Sequence, residues 1–148
     1  MKAWRENESI DFSFFNAHDL YEARDTSKPE SIKSQLRERM KNAKQFVLLG
    51  SVTAKKKGSD GTSFLAYEVN TMLKLGLPIV VANVGGGRKG NTANIPKPLL
   101  DAKYYMMCVS LQPKIIQYAL NNYAVSYADS SKTGSYQYNT GVYTSLDL

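Results

Sequence analysis

A chain of 148 residues can bury one sizeable core. Its 43% hydrophobic and 22% charged residues are ordinary for a folded globular domain. The one cysteine, Cys108, excludes an internal disulfide framework, and the lone histidine, His18, excludes a multi-histidine metal site. The longest apolar runs, such as LGLPIVVANV, fall far short of the roughly 20 residues a membrane span needs. MKAWRENESIDF lacks the apolar core of a secretion signal, so cytoplasmic residence is expected, with no membrane partner. The net charge of +6, from 19 Lys+Arg against 13 Asp+Glu, is dispersed and reads as a solvated surface rather than a nucleic-acid footprint.

In chain order, IDFSFF (10–15) is short, aromatic and alternating, which predicts a strand. A long polar connection follows. Ser27, Pro29 and Glu30 form a capping-box pattern that opens a helix with Ile32, Leu36, Met40 and Ala43 on one stripe. QFVLLG (45–50) is apolar on both sides, as a strand covered on both faces would be. SVTAKKKGSDGT reads as a loop ending at an N-cap, Thr62 or Ser63. The next helix places Leu65, Val69, Met72 and Leu73 on its core face and stops near Gly76.

Pro78 begins the apolar strand PIVVANV. GGGRKGNTANIPKP reads as a flexible loop: VGGGRKGN fits neither GxGxxG opening a helix nor GxxxxGK[ST], and the prolines of NIPKP oppose helix formation. KYYMMCV predicts a third apolar strand in which Cys108 is a small buried thiol, and QPKIIQYALNNYAV predicts the last helix. The Tyr/Ser-rich stretch from residue 126 predicts partly extended or loosely packed chain. Alternating strands and helices give an α/β fold with a parallel sheet, whose ligands gather beyond the carboxyl ends of the strands.

Glu68 is the informative residue. Phe64 precedes it and Met72 follows it by four positions, so a carboxylate lies at the margin of an apolar helix face. Partial desolvation raises a carboxylate's pKa and costs stability unless it is paired. That setting suits a general base or a group binding a polar ligand. It also suits a boundary glutamate paired with a lysine of AKKK.

The ordered series of Gly50, Thr53, Phe64, Tyr67, Glu68 and LKLGLPIVV, preceded by SIKSQLRERMKNAKQFVLLG, resembles the bacterial TIR-like domain family related to the Thoeris antiphage defence sensor protein. The similarity covers residues 2–84 well and the tail weakly. It implies a flavodoxin-like (TIR-like) parallel sheet with helices on both faces, lacking the family's usual first strand, over residues 1–125, with 126–148 a polar tail. It further implies NAD as a substrate rather than a bound cofactor, cleaved at the nicotinamide–ribose bond to give an ADP-ribose-derived signal, which Thoeris sensors make cyclic. The family's catalytic glutamate falls on Glu68; Ser51, Thr53, Phe64 and Asn16 are the residues expected to line the substrate. The family usually carries tryptophans where Phe64 and Tyr67 stand here. A non-catalytic interaction module, associating with itself or with an effector protein, is the alternative. A receiver domain is disfavoured, because no acidic pair stands at a strand end.

Overall fold

The computed structural model describes residues 29–148. The predicted strand 10–15, the cap Ser27, Asn16 and His18 lie outside the described residues. The chain divides into two compact units, residues 1–43 and 44–148. In the first, helix α1 (Pro29–Lys41) begins at the expected proline, with Glu30 in its first turn and Arg39 and Lys41 in its last, the order that suits the helix dipole. Leu36 and Met40 of the expected stripe are buried.

The second unit is built on strands β1 (Phe46–Gly50), β2 (Ile79–Asn83), β3 (Met106–Ser110) and β4 (Ser135–Gln137). They form a sheet of order β1-β2-β3-β4, parallel at every pairing. This is the expected α/β, flavodoxin-like arrangement. Between the strands run α2 (Val52–Gly58), α3 (Phe64–Leu75), α4 (Lys97–Asp101) and α5 (Pro113–Tyr127), and α6 (Thr140–Ser145) follows β4.

Register explains why β2 and β3 read as unbroken apolar runs. Leu48 and Cys108 flank Val81 along one face, while Val80 and Met107 point to the other. Every residue of β2 and β3 is buried, so both faces are covered. β1, which has no second neighbour among the described residues, is only half-buried at Phe46, Val47 and Leu49. At the amino ends of the strands the Tyr123 hydroxyl accepts from the Ile79 N–H (3.1 Å) and donates to the Tyr105 carbonyl (2.8 Å), so one side chain of α5 completes two strand ends. Tyr105 stacks on Tyr127 and meets Tyr123 and Tyr136 edge-on, joining α5 to β4 through rings.

Several sequence readings are altered. SVTAKKKGSDGT is not all loop: VTAKKKG is helical, because Ser51 caps it by accepting from the Ala54 N–H at 3.0 Å. The prolines after the glycine loop do not prevent a helix, since Pro98 stands in the first turn of α4, where a missing N–H costs nothing. The buried row of α3 is Ala66, Val69 and Met72, with Leu65 and Leu73 at its half-buried edges. The close approach at the end of α2 is to Pro96, since a β-carbon at Gly58 would lie 2.6 Å from the Pro96 ring, with the Val69 side chain of α3 in ordinary contact at 3.4 Å. Residues 126–148 supply β4 and bury Tyr143 completely. No helix among the described residues is long and apolar enough to cross a membrane.

Candidate functional site

α3 leaves the carboxyl end of the sheet and returns to its amino end before Pro78. Its start is fixed by a compact turn. Asp60 accepts from the Ser63 N–H (2.8 Å) and the Thr62 N–H (2.9 Å), and these two donors hold its carboxyl below the usual range. Ser63 then caps the helix by accepting from the Ala66 N–H at 3.1 Å, while its own hydroxyl donates to the Lys57 carbonyl. At the far end Gly76, at φ 63°, gives the left-handed C-cap. Ser63 and Gly76 are thus the ends expected from the sequence.

Glu68 lies four residues into α3, about 6 Å along its axis and in the half nearer the strands' carboxyl ends. It is 8% exposed, one of three buried polar or charged residues among those described, with Asn83 and Ser110. It stands beside the buried Ala66, Val69 and Met72, and it has interaction partners, as do Phe64 and Tyr67. Burying a carboxylate this far requires a compensating partner or a functional return.

The other expected site residues fall at the same end of the sheet. Ser51 follows β1 directly and uses its oxygen as the α2 cap. Thr53 is exposed in the first turn of α2, and Phe64 is half-buried as the first residue of α3. Asn16 lies outside the described residues. Val52 and Val84, 70% and 51% exposed, add apolar surface near the ends of β1 and β2, where the Val84 N–H donates to the Gly50 carbonyl at 3.0 Å.

One polar residue at this end gave no signal in the sequence. Asn83 ends β2 at 2% exposure, and its amide nitrogen donates to the carbonyls of Gly87 (2.9 Å), Lys89 (3.0 Å) and Val109 (3.3 Å). The glycine loop expected to be flexible is therefore pinned from beneath. Its far part is tied to α2, because Lys55 Nζ donates to the Thr92 carbonyl (2.7 Å) and the Lys97 N–H donates to Ser59 Oγ (2.8 Å). A cleft of about 590 Å³ lies along this loop between Asn83 and Asn94. Cys108 is fully buried and burial pushes its thiol up to about 12, which leaves it inert as a nucleophile near neutral pH.

Against this geometry, residues 1–89 of the chain match the family model described as Thoeris protein ThsB, TIR-like domain. The chain belongs to this family. The match runs through α1, β1, α2, α3 and β2 into the glycine loop, so it takes in Ser51, Thr53, Phe64 and Glu68. Residues 90–148, with β3, α5 and β4, lie beyond it. No curated protein matches the chain. Membership of the ThsB TIR-like family places the protein in a defence-related TIR-like class.

Proposed function

We propose that this protein is a cytoplasmic NAD-cleaving enzyme of the TIR-like class, releasing nicotinamide and an ADP-ribose-derived signal during antiphage defence, with Glu68 as its catalytic carboxylate. The single observation that carries the reading is the burial of Glu68 on α3, at the strand end where an α/β sheet receives ligands. A carboxylate held there can accept ribose hydroxyls and offset the positive charge that builds on the ribose as nicotinamide departs. The low-dielectric setting strengthens that interaction. Phe64, half-buried four residues earlier, would wall the substrate, and Ser51 and Thr53 would line the end of β1. No cofactor takes part in this reading; NAD is consumed.

The test is cellular NAD. Bacteria expressing the wild-type chain should lose NAD after phage infection, and those expressing Glu68→Gln should not. Equal depletion in the two strains would remove Glu68 from the reaction. The second reading, a non-catalytic module that self-associates or engages an effector, draws on the exposed Val52, Val84 and Val125, although isolated surface valines are common. It predicts concentration-dependent sedimentation with no NAD loss in either strain.

A further inference from the structure

We propose that the glycine loop after β2 is an anion site that takes the diphosphate of a nucleotide ligand. The loop GGGRKGN matches no phosphate-loop pattern, and it builds its donor array by another route. Asn83 draws the carbonyls of Gly87 and Lys89 inward. In a trans peptide the carbonyl and the following N–H point in opposite directions, so the N–H groups of Arg88 and Gly90 are turned away from Asn83. Among the described residues, the N–H groups of Gly87, Arg88, Lys89 and Gly90 donate no hydrogen bond within the chain. The outward N–H groups of Arg88 and Gly90, on either side of Lys89, are thus open to take an anion as their partner.

Charge supports the same ligand. The cleft is lined by Arg88 and Lys89 and by no carboxylate. Arg88 is not a free-swinging cation: its guanidinium lies 4.2 Å from the centroid of the Tyr143 ring. Tyr143 is itself fully buried, and its hydroxyl accepts from the Ser110 N–H at 3.2 Å. The residues beyond the family match thus hold one wall of the cleft. Gly90 seats the other side on the sheet, since a β-carbon there would lie 2.7 Å from Ser135 Oγ. The inference extends the NAD-cleavage reading, because a dinucleotide carries a diphosphate, but its test needs no turnover.

The experiment is calorimetric titration of the full chain with ADP, adenosine and inorganic pyrophosphate, alongside amide NMR shifts for residues 85–90. ADP should bind, adenosine should bind at least about tenfold more weakly, and added salt or pyrophosphate should displace ADP. Arg88→Gln with Lys89→Gln, both exposed positions, should weaken ADP at least about tenfold while circular dichroism shows the fold retained. Equal binding of ADP and adenosine, or ADP affinity unchanged in the double variant, would overturn the site. Glu68→Gln should keep ADP binding intact. Loss of NAD turnover as an activity, with Arg88-dependent ADP binding retained, would sink the enzymatic reading alone.

Discussion

Replacing Asn83 tests how the carboxyl end of the sheet is organised. Its two amide hydrogens serve three carbonyls, those of Gly87, Lys89 and Val109, and its oxygen accepts weakly from Asn94 Nδ2 at 3.4 Å. A net contribution of about 0.5–1.5 kcal/mol for each of the two donated hydrogens gives about 1–3 kcal/mol for Asn83→Ala. For a chain of this size each kcal/mol lowers Tm by about 2–4 °C. Asn83→Asp has nearly the same shape but turns the donor into a charge facing carbonyl oxygens at 2% exposure, so it should be the worse variant by at least about 1 kcal/mol. Calorimetry supplies the order of stability, and hydrogen exchange at residues 84–91 supplies the location, with protection falling first in the loop. An aspartate variant as stable as the wild type would mean that the side chain is not donating to these carbonyls, and the pinned loop would have no basis.

Four further outcomes follow from the same structure. Gly50→Ala would put a β-carbon 2.8 Å from Val81 Cγ1 and 3.2 Å from Asn83 Oδ1, and should destabilise by about 1–3 kcal/mol in chemical unfolding. Tyr123→Phe removes the hydroxyl shared by Ile79 and Tyr105, and should cost about 1–3 kcal/mol while leaving ADP binding unchanged. Burial raises the Cys108 thiol from 9.0 to about 12 and the Tyr138 phenol from 10.0 to about 12. Between those values the unfolded chain has released protons that the folded chain keeps, so Tm should fall as pH rises from about 9 toward 12. In the folded protein at mildly alkaline pH, Cys108 should resist thiol reagents that label it after denaturation.

Much of the fold was legible because its strongest signals are local. Ser63 and Gly76 bracket α3 with cap chemistry that the sequence prints directly, and β2 and β3 carry the continuous apolar runs of strands buried on both faces. The illegible parts lack periodicity. α2 is seven residues with three consecutive lysines, held by one serine cap and its contact with α3, and β4 is three exposed residues identified only by pairing with β3. Glu68 stood out because a charge breaks an apolar row. Asn83 did not, because an asparagine closing an apolar strand looks like the start of a turn. Its role depends on the carbonyls of Gly87 and Lys89 folding back beneath the loop and on β3 passing alongside. Tyr143 was hidden for the same reason: its value lies in meeting Arg88 and Ser110, 55 and 33 positions away in sequence.

The most direct measurement is nicotinamide release from NAD by the purified protein in extract from phage-infected cells, comparing the wild type with Glu68→Gln at matched thermal stability. The wild type should release nicotinamide and the variant should fall to the rate of extract alone. Identical release by both proteins would contradict a catalytic role for the buried carboxylate.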